Sequence, residues 1–355
     1  MMKSQMIRQW KQACSVLLAA MLFFPAAALA QNAQLTGAGS TFVYPIMTRW
    51  IADFHQKHPG VQINYQSIGS GGGIQQLKNK LVDFGASDVA LDDEQLKTMP
   101  AIIQVPESAG PVCITYNLQG LSKPLQLSGD ALAGIFLGKI TKWTDPAIAR
   151  TNAGVSLPGD DIVVVHRSEG SGTTGIFTTY LAAISPEWKS RVGAGISVRW
   201  PVDLNGKNSE GVTGVVKQTP GAIGYVELNY AEENHLPVVA MGNRAGKFVT
   251  PSSASASAAI DAARAILAKD VRTPIVDPPA NAPSAYPISG LTFLLVPKDG
   301  SDAGKRQATK QFIQYVVSTG QGIADGLHYA ALPKSIVALD TKLLGEMHAD
   351  GKPLK

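Results

Sequence analysis

Residues 162–180 constrain this chain more than any other stretch. Ile162-Val163-Val164-Val165 is an unbroken β-branched run, the signature of a strand buried on both faces. Arg167 stands where that strand ends, and Ser168-Glu169-Gly170-Ser171-Gly172 follows as a loop. From Thr173 onward, Ile176, Phe177, Tyr180 and Leu181 recur at helical spacing. A strand, a short Gly/Ser loop and a helix start gather unpaired backbone N–H groups around one point. Together with the helix dipole and the Ser171 and Thr173 hydroxyls, they favour an anion. Arg167 adds a planar cation whose fork fits a carboxylate or tetrahedral oxyanion. The plain alternative is an ordinary βα turn with Gly for tight geometry and a capping hydroxyl.

Two further segments have the same form. Ser40-Thr41-Phe42 precedes a helix carrying Ile46, Trp50, Ile51 and Phe54. Gly69-Ser70-Gly71-Gly72-Gly73 opens another with Ile74, Leu77 and Leu81, and Asp88 ends the short strand run 82–86. Taken singly, Thr41 and Ser70 read as N-caps, and Asp88 as the cap of a helix bearing Leu91, Leu96 and Met99. Taken together, three donor-rich helix starts with one Arg and one Asp form a dry oxyanion cage.

Alternating strand and helix signals argue for an α/β fold with a largely parallel sheet, in which ligands sit beyond the carboxyl ends of strands. The chain changes lobes near residues 106–111 and returns near 284–290. Strand-like runs at 102–105 and 112–116 are separated by Pro106 and Gly110-Pro111, and the run 291–296 is followed by a helix bearing Ala308, Phe312, Tyr315 and Val316. The Ser/Ala-rich segment 250–265 reads as surface, and the Pro-rich run 274–287 as linker. The expected division is residues 31–108 with 288–355 as a first lobe and 109–287 as a second. A hinge of two strands joins them.

The first thirty residues read as a secretory leader. Lys3, Arg8 and Lys11 precede an apolar run too short to span a bilayer, and Ala28-Leu29-Ala30 is a cleavage site. Its removal leaves about 325 of the 355 residues and takes the formal charge from +4 to +1. Nothing then points to nucleic acid or a membrane surface as partner. No later stretch is apolar and long enough to cross a membrane. Cys113, flanked by Val112 and Ile114, is the one cysteine left and reads as an inert buried thiol. The histidines show no metal-ligand spacing, so neither a metal nor a cofactor is expected.

At this level of detail the chain resembles the phosphate-binding proteins of bacterial phosphate-uptake ABC transporters. The resemblance rests on Leu35-Thr36-Gly37-Ala38-Gly39-Ser40-Thr41-Phe42, on Asn64-Tyr65-Gln66-Ser67-Ile68-Gly69-Ser70-Gly71-Gly72 and on Val82-Asp83-Phe84-Gly85-Ala86-Ser87-Asp88. It continues through Leu137-Gly138-Lys139-Ile140-Thr141-Lys142-Trp143, residues 167–173 and Pro220-Gly221-Ala222-Ile223-Gly224-Tyr225-Val226-Glu227. It implies a bilobed periplasmic-binding-protein fold closing on one buried inorganic phosphate, in a periplasmic, monomeric, non-enzymatic receptor that serves an inner-membrane ABC permease. It also implies that Thr41, the Phe42 N–H and Ser70 donate from the first lobe, where Asp88 accepts. Arg167, Ser171, the Gly172 N–H and Thr173 donate from the second. Glu169 stands beside the arginine where the family more often has Asp, and can still hold Arg167.

Three other readings compete. Gly170-Ser171-Gly172-Thr173-Thr174-Gly175 has the spacing of a dinucleotide loop, but Glu187, the acid nearest the expected position, lies in a Ser-Pro-Glu helix start rather than at a strand end. No Walker loop, GxSxG serine or His-paired nucleophile supports an enzyme. A receptor for another oxyanion, such as sulfate or molybdate, is disfavoured by Asp88, which only repels an anion lacking a proton. An adhesive role would need repeats, and none occurs.

Overall fold

The computed structural model describes residues 33–354; the expected leader lies outside the described residues. Strand β1 (Ala33–Gly39) runs parallel to β2 (Val61–Ser67), paired from Ala33 opposite Val61 to Gly39 opposite Ser67. Helix α1 (Tyr44–Lys57) makes the crossover between them. It has a proline in its first turn and buries Ile46, Met47, Trp50 and Phe54. Proline costs nothing there, because its missing N–H would have no helical acceptor. Helix α2 (Ser70–Lys78) leads to β3 (Phe84–Ser87), which pairs parallel with the other side of β1. Leu81 lies past the end of α2 and is exposed rather than part of its apolar face.

The two strand runs expected at 102–105 and 112–116 are one strand, β4 (Ile102–Tyr116), every residue of it buried. Its prolines are tolerated because of where they fall. Strand β5 (Val163–Val164) and strand β6 (Ala222–Glu227) belong to the same sheet, and β7 (Ser289–Pro297) completes it. Up to Pro111, β4 pairs antiparallel with β7; from Val112, it pairs with β6. Pro111 sits where the partner changes. Pro106 adjoins a register shift: Thr292 faces Ser108 and Phe293 faces Pro106, so Glu107 is an extra residue with no counterpart. Bulges and ladder ends are where a strand can spare an N–H.

Among the described residues the main sheet has seven strands in the order β2-β1-β3-β7-β4-β6-β5. The four-residue strand expected at 162–165 is shorter, because β5 is the sheet edge and the chain turns away after it. His166–Arg167 then pairs with Asn205–Gly206 instead. Helix α3 (Gly172–Ile184) follows, and helix α4 (Asn208–Gln218) leads into β6. The molecule is thus a bilobed α/β protein: β1, β2 and β3 lie on one side, β5 and β6 on the other, and β4 pairs with both, meeting β7 along its first part and β6 along its last.

Residues 250–265 are not a plain surface segment. Helix α5 (Ser253–Ala262) is capped reciprocally by Ser252 and Ser255 and buries Ala256, Ala259 and Ile260. Ala256 and Ile260 join a core with Ala38, Leu77, Leu291 and Leu295. Small alanine side chains let the helix lie close to the sheet, and the serines between them mask the apolar face in the sequence. Within the Pro-rich run, Ile275, Ala285 and Tyr286 are buried as well. Helix α6 (Ala303–Val317) covers β1 with Phe312, Ile313 and Val316 buried.

Gly73 shows how tightly α2 lies on β1. A Cβ there would meet the Ala38 carbonyl oxygen and the Gly39 Cα, both at 2.5 Å. Both are backbone atoms, so neither can rotate away. Gly73→Ala is expected to cost about 1–3 kcal/mol of stability, read as a lower denaturation midpoint. An unchanged midpoint would mean that α2 can lift from β1 without loss.

Candidate functional site

The expected residues converge in two adjoining groups. In the first, Asp88 ends β3 and is 2% exposed. Its Oδ1 accepts the Ser40 hydroxyl. Its Oδ2 accepts the Ser70 hydroxyl at 3.3 Å, and its own N–H donates to Ser70 Oγ at 3.2 Å. Asp88 does not cap the helix that follows: Asp92 does, in a capping box with Gln95. Burial raises the Asp88 carboxyl to about 7, Glu227 adding to the rise while the Ser40 hydroxyl, Arg167 and Ser70 hold it down.

The second group surrounds Arg167, 3% exposed at the end of its short strand. Nε donates to Glu169 Oε1 at 2.7 Å, and Nη2 donates to the same oxygen. Nη2 also donates to Thr41 Oγ1 at 3.1 Å, and Nη1 donates to Thr173 Oγ1 at 3.2 Å and Ser209 Oγ at 3.1 Å. Burial works against the guanidinium charge, but Glu169 foremost, with Glu227, keeps its pKa above the ordinary arginine value. The backbone N–H of Arg167 donates to the Tyr225 hydroxyl at 3.1 Å. The extra methylene of Glu169 has a consequence: while Oε1 holds Arg167, Oε2 accepts the Asn208 N–H at 3.1 Å. One carboxylate therefore fixes both the cation and the start of α4.

The two groups meet through glycine. A Cβ on Gly172 would lie 2.4 Å from Ser70 Oγ and 2.5 Å from Asp88 Oδ2. Gly71 N–H donates to the Gly170 carbonyl at 2.9 Å, tying the loop before α2 to the loop before α3. Gly69, at φ +82°, has the Gly170 carbonyl oxygen 2.9 Å from where its Cβ would be, so conformation and space both demand glycine. Thr41 is clasped from the far side as well, its carbonyl accepting the Tyr230 hydroxyl at 3.0 Å.

Ser171 is the N-cap of α3, accepting the Thr174 N–H at 3.2 Å, which leaves its own proton free to be donated elsewhere. The Phe42 ring is core, 6.0 Å from the Tyr329 ring, and only the Phe42 backbone can serve a ligand. Cys113 is buried, its nearest hydrogen-bond partner being the Pro111 carbonyl, and burial pushes its thiol well up. Among the described residues no group of His, Cys, Asp or Glu could hold a metal ion.

Three residues of this site are missing from the expected set. Ser40 lay in plain view beside Thr41. Ser209 bonds Thr41 Oγ1 at 2.8 Å as well as Arg167. It belongs to a fourth strand–turn–helix, Asn205-Gly206 leading into α4, and that repetition was the available signal. Glu227 ends β6 and accepts the Thr173 hydroxyl at 2.6 Å through Oε1.

Comparison with known proteins agrees with this geometry. A family model described as a PBP superfamily domain matches residues 25–319. The phosphate-binding protein PstS of Xylella fastidiosa (strain Temecula1) is 45% identical over 314 residues, covering 88% of this chain and 85% of that relative. PstS of Pasteurella multocida is 41% identical over 322 residues, covering 90% and 92%. Among solved structures, PfluDING, a high-affinity periplasmic phosphate-binding protein bound with phosphate, superposes with a TM-score of 0.67 at 22% identity, covering 89% of this chain and 99% of that one. A phosphate ABC transporter substrate-binding protein from Clostridium perfringens gives 0.59 at 19% identity, covering 84% and 100%. The structural likenesses establish the fold. The sequence matches go further: this chain belongs to the PstS family of phosphate-binding proteins, within the PBP superfamily.

Proposed function

We propose that this protein binds inorganic phosphate between its lobes and delivers it to an inner-membrane ABC permease for import. One observation carries the reading: a buried cation, Arg167, and a buried acceptor, Asp88, adjoin one another among the Ser40, Thr41, Ser70, Thr173 and Ser209 hydroxyls. A dianion costs several kcal/mol to remove from water, so it has to be met by many hydrogen bonds rather than one counter-charge. Thr41, the Phe42 N–H, Ser70, Arg167, Ser171, the Gly172 N–H and Thr173 are the proposed donors. Asp88 is the proposed acceptor and Glu169 the support for Arg167.

Asp88 gives the selectivity. Phosphate near neutral pH keeps at least one proton and can donate it to a buried carboxylate. Sulfate has none, and would stand beside the Asp88 charge with no hydrogen bond between them to offset the repulsion. The reading takes residues 31–108 with 288–355 as the first lobe and 109–287 as the second. It has one amendment, since the core shared by Ala256, Ile260, Ala38 and Leu77 draws helix α5 toward the first. The same reading makes the mature protein a monomeric periplasmic receptor, with residues 1–30 removed near Ala30. It is read as a binding protein rather than an enzyme because the relatives it resembles are phosphate-binding proteins.

Arg167→Lys should weaken phosphate binding at least about tenfold, because a point charge cannot reproduce a fork that reaches Thr41, Thr173 and Ser209 together. Calorimetric titration of the folded variant decides this, and equal affinity would count against the cage. Asp88→Asn removes the repelling charge and offers either a carbonyl or an NH₂ to the ligand. Phosphate should lose little and sulfate should gain, so the phosphate-to-sulfate affinity ratio narrows. An unchanged ratio would move selectivity away from Asp88. Because the donors come from both lobes, saturating phosphate should also compact the protein in small-angle scattering. Superimposable curves would argue against ligand-driven closure.

A further inference from the structure

One polar atom of the site has no use in the reading above. Glu227 is 1% exposed, and while its Oε1 accepts the Thr173 hydroxyl, its Oε2 is buried without a hydrogen-bond partner among the described residues. A bare buried carboxyl oxygen is costly, and a native structure keeps one where something else completes it. The carboxyl is faced by Arg167 and the Ser209 hydroxyl from its own lobe, and by Asp88 at the end of β3. The phenols of Tyr230 and Tyr329 and the Cys113 thiol on the adjacent β4 lie within its field.

The charges decide what completes it. One guanidinium stands against Asp88, Glu169 and Glu227. Glu169 is partly exposed and committed to Arg167, which donates to it through both Nε and Nη2. A phosphate brought among three ionised carboxylates with one cation would be repelled in a space that excludes water, so a carboxyl has to be neutral. Burial raises the Asp88 carboxyl to about 7, but each of its two oxygens accepts a serine hydroxyl and both bonds oppose that rise. Glu227 has one oxygen bonded and one bare, and a proton on the bare oxygen turns an orphan acceptor into a donor.

We propose that Glu227 is a further ligand-contacting residue, a neutral acid in the closed site whose Oε2–H donates to a phosphate oxygen. The inference rests on the phosphate reading and divides the work of the two acids, Asp88 accepting from the ligand and Glu227 donating to it. Burial pushes the Glu227 carboxyl above its ordinary range, with Arg167, Thr173 and Ser209 opposing. An acid raised in this way favours the closed site below its ordinary range and ceases to do so as pH rises through the raised value. Binding therefore weakens with rising pH, beyond what phosphate's own ionisation and Asp88 cause.

Glu227→Gln keeps the size and offers a permanent NH₂ donor, so comparison with wild type isolates the proton. Phosphate affinity of both is titrated between about pH 6 and about pH 8.5. The glutamine variant should match wild type within about threefold at the acid end and exceed it progressively toward the alkaline end, by up to about tenfold for each unit of pH above the titrating group. Parallel profiles, or loss of binding at the acid end by a variant with an unchanged melting temperature, would overturn the assignment. A second test needs no variant. In wild type with ¹³C-labelled glutamate carboxyls, a protonated-acid resonance should shift when phosphate is added; if none does, the assignment falls. Wild type that binds no phosphate at any pH would instead overturn the phosphate reading itself.

Discussion

A guanidinium taken out of water has to be given acceptors for its N–H groups, and that requirement organises this molecule. Arg167 is 3% exposed, and its partners come from four separate places: Thr41 after β1, Glu169 in its own loop, Thr173 at the start of α3 and Ser209 at the start of α4. Desolvation costs several kcal/mol, so these segments are not free to drift apart once the cation is buried. Only Thr41 belongs to the opposite lobe. The arginine is therefore fully satisfied only when the lobes are together, which couples a local hydrogen-bond count to a global arrangement. The glycines follow from the same closeness. Gly172 stands where any side chain would strike Ser70 and Asp88, and Gly69 where one would strike Gly170.

How far the sequence could be read depended on whether the signal was local. Helices α1, α2 and α3 were legible because apolar spacing is a property of neighbours along the chain. Thr41, Ser70, Asp88 and Arg167 were legible because each stands where a strand ends or a helix starts, a place with unpaired donors whatever the tertiary fold. Ser209 was harder. Its strand is two residues long, Asn205–Gly206, with no apolar run to announce it. Glu227 follows an apolar run, as many exposed strand ends do, and its burial comes from β4 pairing alongside and Leu228–Glu233 turning over it. The prolines of β4 misled for the same reason: they break a ladder only if a partner needs their N–H, and that is decided by β6 and β7. Helix α5 was hidden by composition, since alanine and serine give little contrast between a buried and an exposed face.

The acids around the site make sense as a set. A receptor built for an anion would gain Coulombic attraction from more cations, yet here one arginine faces Asp88, Glu169 and Glu227. Attraction alone does not distinguish phosphate from sulfate, which have similar size and shape. Protons do, and a buried carboxylate, which accepts from a protonated oxygen and repels an unprotonated one, senses them strongly. Glu169, tied to Arg167 and Asn208, spends its charge on geometry. Burial raises the other two, Asp88 and Glu227, above the ordinary carboxylate range. The low net positive charge is thus a condition of discrimination, and hydroxyls and backbone N–H groups take over the attraction that further cations would have given.

The same tension recurs where β4 crosses between the lobes. Glu107 is the unmatched residue of the bulge, fully buried, with neither carboxyl oxygen bonded, and the neighbouring Ser108 hydroxyl is unbonded as well among the described residues. Burial, and then the nearby Asp88 charge, push the Glu107 carboxyl well up. Regular ladders on either side, β4 with β7 and β4 with β6, resist bending because each has its backbone groups paired. The bulge does not, since one residue there is outside the ladder already. A bend between the lobes costs least where a strand is irregular and its side chains have no bonds to lose. That place is Glu107 and Ser108, on the strand that carries the chain out of the lobe holding Asp88 and into the lobe holding Arg167.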